Sequence, residues 1–378
     1  MTRTAVSLFA VLMLSTYAVG AAGLEAIVTE RRAVSDIGPG AEPLKARLVA
    51  EVQKVIKAGR LAPFRTLYGE HGLRYHWREP WQMPYTLGLA LPHLPPELQA
   101  DVKRYLAEEI AARPPWEGAL LGPDGTKRQP DDLPESVFRA IGAGQTPTAF
   151  FPYALWVYAS RSGDWRTIRA NWPVIQQNFQ AKVGTRPNFE TASGAIGMYR
   201  LAVGIDDSAA AARFLKAATD ALTACRNFEA VRASAHRAYT GRENWTRESH
   251  GVNYAFFNLT PEIARLIAGD DALAKAAEAY ADVGRRIWPL WWMAQAPVGD
   301  WGYYGEGCCA GPEQRGMLFN YEAWVRKLPA EQLAMYADVP DALIGDCTYM
   351  QNLVTAIEAF GKAAWTARDG RGVGRPGP

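Results

Sequence analysis

Two stretches of the chain concentrate side chains that move protons beside aromatic faces. GRENWTRESHGVNYAFFNLT, Gly241 to Thr260, carries Arg242, Glu243, Arg247, His250 and Asn253, and DWGYYGEGCC, Asp300 to Cys309, carries Trp301, Tyr303 and Tyr304. Imidazole and phenol serve as general acids and bases once their surroundings tune them. Arginine and asparagine donate to carboxylates, and indole faces stack on sugar rings. This set suits removal of a proton from a sugar acid, with loss of the neighbouring oxygen.

On a helix, His250, Asn253, Tyr254 and Phe257 fall at i, i+3, i+4 and i+7 and share one face. Glu243 lies seven residues earlier, where a carboxylate can orient or charge the imidazole. Glycines flank Tyr303 and Tyr304, so the backbone there can approach a ligand closely. A third patch, RYHWREPWQMPYTLGLALPHL from Arg74 to Leu94, crowds His76, Trp77, Glu79 and Trp81 ahead of a helix and reads as a substrate-binding wall. A fourth, RPNFETASGAIGMYRLA from Arg186 to Ala202, puts Asn188 before a helix and Glu190 in its first turn. Capping alone also explains an asparagine at that position.

A uronate C5 proton is weakly acidic, and its loss spreads charge onto the carboxylate, so donors must neutralise that group in the transition state. Asn188, Asn253, Arg242 and Arg247 are the candidates for this role, His250 or Tyr304 for the base, and Tyr304 for the acid that protonates the departing O4. General acid–base action contributes about 10²- to 10⁴-fold, and each preorganised donor about 10²- to 10³-fold, so both are needed. Glycoside hydrolysis is the rival chemistry, with a carboxylate pair drawn from Glu190, Glu243, Asp300 and Glu306. A glycan-binding protein that turns nothing over is the rival from another class.

The elements that must hold these groups are helices. Thr146-Pro147 and Thr260-Pro261 each place a capping hydroxyl before a first-turn proline, while Gly59, Gly163 and Gly269 sit where helices stop. Apolar periodicity predicts helices at 43–58, 81–91, 95–112, 146–161, 164–180, 189–203, 207–226, 250–258, 260–268, 271–287, 312–327 and 347–366. Short links such as RSGD and AGDD favour antiparallel hairpins, and roughly six to seven of them can close an all-α (α/α) toroid or barrel. Two long irregular segments, 114–135 and 295–313, interrupt the helices.

The first 22 residues read as a signal peptide, with Arg3, an apolar run and small residues near Ala22, which predicts a secreted or periplasmic protein. The expected organisation is a single catalytic domain over 23–366 and a disordered tail over 367–378. The chain has 378 residues, 48% of them hydrophobic, and balances 41 basic against 39 acidic residues, so no footprint for nucleic acid stands out. No run approaches the roughly 20 apolar residues of a membrane span. Of the four cysteines, Cys225, Cys308, Cys309 and Cys347, the pairing expected is Cys347 with Cys308 or Cys309. Five scattered histidines and no CxxC pair give no protein-held metal, and no cofactor motif is present.

ASRSGDWRTIRANWPVI, NFETASGAIGMYRLA, and ESHGVNYAFFNLTPEIARLI followed by DWGYYGEG resemble helical-toroid polysaccharide lyases, and polysaccharide lyase family 38 in particular. The resemblance implies an α/α barrel acting on alginate or glucuronan by elimination, with His250 as the histidine, Tyr303 or Tyr304 as the tyrosine, Glu243 as the nearby carboxylate and Asn188 as a neutralising or binding group. Ser249 stands where other toroidal lyases often carry an asparagine before the histidine, which moves the neutralising role to Asn188, Asn253 or an arginine.

Overall fold

The computed structural model describes residues 23–59, 80–117, 149–182, 187–239, 256, 259–287, 319–337, 344–345 and 347–366. Within them the chain is overwhelmingly helical: α1 (Glu42–Ala58), α2 (Gln82–Ala90), α3 (Pro96–Ala112), α4 (Phe151–Ser162), α5 (Trp165–Lys182), α6 (Phe189–Gly204), α7 (Ser208–Cys225), α8 (Phe228–Tyr239), α9 (Pro261–Ala268), α10 (Asp271–Ile287), α11 (Phe319–Trp324), α12 (Ala330–Ala337) and α13 (Cys347–Ala359). A further helical stretch covers 23–29. One antiparallel pair of strands, β1 (Arg31–Ser35) and β2 (Lys362–Thr366), runs in register from Arg31 opposite Thr366 to Ser35 opposite Lys362.

Composition separates two kinds of helix. In α7 the buried residues are Ala210, Phe214, Ala218, Leu222 and Cys225, a stripe one helical turn apart with charged groups elsewhere. Helix α1 likewise buries Leu44, Leu48, Val52 and Val55. By contrast, α2 buries every residue but Leu89, and α6 is buried from Phe189 through Met198 apart from Glu190. Such helices must be covered on all sides. Helix α2 packs on α4, α4 on α6, α6 on α9, α9 on α11, α11 on α13 and α13 on α2, while α1, α3, α5, α7, α10 and α12 each lie against members of that set. Buried apolar side chains from Leu24 to Ile357 form one continuous core.

Glycine sets the closest approach in this core. A Cβ on Gly194 would overlap the carbonyl of Ala149, and one on Gly197 would lie 2.5 Å from the carbonyl carbon of Pro152 and closer still to the Tyr153 nitrogen. Helices α4 and α6 therefore meet backbone to backbone.

Several predicted elements are found where expected, and some are not. Thr260 caps α9, accepting the Ile263 N–H at 3.4 Å, and Gly163 ends α4 in the left-handed region at φ 83°. The helix predicted over 146–161 begins at Phe151, after a turn at Ala149 and Phe150. Helix α8 was not anticipated: FEAVRASAHRAY has few large apolar residues, and its start is marked by Asn227, whose side chain accepts the Ala230 N–H at 3.2 Å. The helix predicted over 347–366 stops at Ala359, and the chain turns into β2. Gly361 allows the turn, since a Cβ there would sit 2.6 Å from Val34 and 2.8 Å from the Ser35 carbonyl oxygen. Residues 312–318 of the predicted 312–327 helix, the predicted 250–258 helix apart from Phe256, and the signal and tail segments lie outside the described residues. So do Cys308 and Cys309, the expected partners of Cys347.

Candidate functional site

Helix direction organises the site. Trp81 packs on Phe150 with ring centroids 4.8 Å apart, Tyr85 on Tyr153 at 6.1 Å, and Gly88 approaches Val157, so α2 and α4 run the same way. Gly194 and Gly197 match Ala149 and Tyr153 in order, which aligns α6 with α4. Ser193 meets Thr260 at 3.2 Å and Arg200 meets Glu262 at 2.7 Å, which aligns α9 with α6. Gln351 donates to Thr86 at 2.8 Å while Glu358 lies 3.7 Å from His93, which aligns α13 with α2. The N-termini of these five helices face one way, and their partial positive charges add at that end.

The segments singled out in the sequence lead into those N-termini. Arg74 to Pro80 runs into α2, Arg186 to Asn188 into α6, and Gly241 to Thr260 into α9, while the segment with Tyr303 and Tyr304 runs into α11. Arg242, Glu243, Arg247, His250, Asn253, His76, Trp77, Glu79, Trp301, Tyr303 and Tyr304 themselves lie outside the described residues. Asn188, Glu190 and Trp81 lie within them.

Asn188 caps α6. Its backbone is extended, at φ −146° and ψ 163°, and its Oδ1 accepts the Thr191 N–H at 2.6 Å. Its carbonyl accepts the Ala192 N–H at 3.2 Å and the Cys225 thiol at 3.3 Å. With Oδ1 committed to the helix, the amide NH₂ is the part of the Asn188 side chain that can still donate. Burial pushes the Cys225 thiol up to about 12, so it remains a neutral donor beneath this cap. Glu190 is half-buried in the first turn, where the helix dipole favours a carboxylate. Trp81 is 1% exposed and wedged between Phe150 and Tyr85. The expected sugar-stacking wall is at this position a packed core ring: the indole supports α2 and α4 and offers no open face to a polymer.

Between the first turns of α4 and α9 and the C-terminal half of α6 lies a buried charged cluster that periodicity and motifs do not announce. Arg200, 4% exposed, bonds Glu262 at 2.7 Å, the Glu30 carbonyl at 2.6 Å and the Val28 carbonyl at 3.3 Å, and its guanidinium lies 4.3 Å from the centre of the Trp156 ring. Tyr153 donates to the other Glu262 oxygen at 2.7 Å. Burial first, and then the Glu262 carboxylate, raise the Tyr153 phenol well above its ordinary value. Burial, Glu262 and Glu358 do the same to Tyr85. Both phenols stay protonated, so neither supplies a base, and Tyr153 serves as a donor to Glu262. Nearby, Glu358 pairs with Arg32, and Arg265 pairs with Glu30 at 2.6 Å with its guanidinium over Trp365. Each charge is matched, and Val28, Glu30 and Arg32 tie the N-terminal stretch to α6, α9 and α13. The available signal was Arg200 within an otherwise apolar helix, where an arginine demands a buried partner.

Helix α11 is held by a separate cluster. Arg285 on α10 donates to Glu278 and Glu322, each at 2.6 Å, and Tyr321 donates to Glu278 at 2.9 Å. Burial raises the Glu322 carboxyl against the pull of Arg285. Among the described residues no group of three His, Cys, Asp or Glu could hold a metal ion, and no helix is long and apolar enough to cross a membrane. No known family, curated protein or solved structure matches the chain.

Proposed function

We propose that the chain is a polysaccharide lyase that cleaves a uronic-acid polymer, of the alginate or glucuronan class, by β-elimination on an (α/α) toroid. Support for the toroid comes from the sequence of neighbours α2, α4, α6, α9, α11 and α13, which returns to α2, with amphipathic helices against it. The observation that carries the reading is the shared direction of α2, α4, α6, α9 and α13. In the chain the segments bearing His76, Asn188, and His250 with Asn253 precede α2, α6 and α9, and helix N-termini that face one way favour an anionic ligand through their summed dipoles.

In the proposed reaction His250 or Tyr304 takes the C5 proton. The electron pair forms the C4–C5 double bond, the O4 bond breaks, and Tyr304 returns a proton to the departing oxygen. Arg242, Arg247, Asn253 and the Asn188 amide neutralise the carboxylate while charge accumulates there.

The test is to incubate the full chain with alginate, glucuronan and a neutral glucan, following ultraviolet absorbance of the new double bond alongside reducing ends. Both signals on a uronan, with loss of turnover and retained binding in His250→Ala and Tyr304→Phe, are expected. Reducing ends without absorbance would replace elimination by hydrolysis. Binding without product, unchanged in His250→Ala, would leave a glycan-binding protein.

A further inference from the structure

We infer that Met335 is an oxidation site, a thioether that takes an oxygen atom from a hydroperoxide while the methionines of the core are spared; the inference stands apart from the elimination reading. Helix α12 begins just after the chain turns at Lys327, φ 55°, and the Gln332 and Leu333 N–H groups both donate to the Pro329 carbonyl at 3.1 Å. Leu333 and Ala337, one turn apart, are fully buried, while Ala334 and Tyr336 pack partly against the core. These residues seat α12 on α13. Met335 stands about 200° around the helix from Leu333, on the opposite side, with exposed Glu331 and Gln332 one turn before it. It is 77% exposed and takes no part in the core.

The other methionines among the described residues have the reverse setting. Met83 on α2, Met198 on α6 and Met350 on α13 are at most 1% exposed. Burial therefore divides side chains of one chemistry into two classes. Oxygen transfer requires contact: a sulfur lone pair attacks one oxygen of hydrogen peroxide, the O–O bond breaks, and the attacked oxygen passes its proton to the departing one. The thioether becomes a sulfoxide and the peroxide is reduced to water. At Met335 the new S–O dipole points into solvent, where water satisfies it. In the core the same dipole would be buried without a partner, and the peroxide reaches those sulfurs only when packed helices open. The Met335 side chain supports no packing in the core, so its oxidation leaves the fold intact.

The experiment exposes the full chain to excess hydrogen peroxide, folded and in urea, at a low and a high protein concentration. Samples taken over time are digested, and mass spectrometry reads the gain of oxygen in the peptide of each methionine. Folded Met335 is expected to oxidise at nearly its rate in urea, while folding slows Met83, Met198 and Met350 by about 10²-fold or more. Chain stopped once Met335 has reacted, and a Met335→Leu variant, should both keep the urea midpoint of the unaltered chain. Folding that slows Met335 as much as the three core methionines overturns the assignment, and so do core methionines that react as fast as Met335. A midpoint lowered by oxidation at Met335 places its sulfur in the packing and overturns it as well. Protection of Met335 that grows with protein concentration would bury it between copies of the chain instead, which likewise removes it as an oxidation site. None of these readouts depends on turnover of a polymer, so failure of the elimination reading leaves the test unchanged.

Discussion

Replacing Arg200 by methionine tests the buried charge cluster where its cost is largest. The stem keeps its length over Trp156, but the guanidinium is lost, and Glu262, 2% exposed, remains with Tyr153 as its neutral donor. Breaking a buried ion pair from one side costs about 3–5 kcal/mol because the surviving charge has no counterpart. The Val28 carbonyl, on a fully buried residue, also loses its donor at about 1–3 kcal/mol. The sum, about 4–8 kcal/mol, is comparable with the whole stability of an ordinary domain at about 5–15 kcal/mol. Adding Glu262→Gln removes the stranded charge and retains an acceptor for Tyr153, so the double variant should be more stable than Arg200→Met alone. The two changes should couple by about 0.5–3 kcal/mol. Urea unfolding followed by circular dichroism, with common slopes, reads both quantities. An Arg200→Met variant within about 1 kcal/mol of the unaltered chain, or singles that simply add, would refute the pairing as a source of stability.

Three further outcomes follow from individual contacts. Burial alone would raise the Glu358 carboxyl, but His93 and Arg32 outweigh it and hold it below the ordinary glutamate value. Its stabilising contribution is therefore complete above the unfolded value of about 4.3 and disappears as pH falls through the lower folded value. The melting-temperature gap between the unaltered chain and Glu358→Gln should close as pH falls below the ordinary glutamate value, and a gap independent of pH would contradict this. Gly197→Ala forces backbone apart between α4 and α6, and should cost at least the about 1–3 kcal/mol of ordinary overpacking; an unchanged urea midpoint would mean the helices do not meet so closely. Trp81→Ala should lose about 3–5 kcal/mol through the cavity left beside Phe150 and Tyr85, with polymer affinity per folded molecule preserved. A stable variant with weakened binding would return Trp81 to the substrate wall.

What was legible in the sequence follows from the range of the forces involved. Capping and periodicity are local, so Thr260-Pro261, Gly163 and the α7 stripe could be read directly. The strands could not: KAAWT follows a helix and carries no alternating pattern, and it becomes a strand by pairing with RRAVS more than 300 residues earlier. Tryptophan is amphipathic, so the sequence admits a sugar-facing role for Trp81, yet its burial depends on Phe150, 69 residues on. Arg200 signals in the sequence that a buried partner is needed, but Glu262 looks ordinary until α6 and α9 are side by side. Asn188 shows both sides, its cap visible from sequence and its remaining NH₂ defined only by the fold.

The pairing of β1 with β2 bears on how the molecule is made. Arg31 meets Thr366 and Arg265 spans Glu30 and Trp365, so β1 gains its strand partner only after every helix from α1 to α13 has been made. A chain cut short before Lys362 would lack β2 and leave the ladder of β1 from Arg31 to Ser35 without its partner strand.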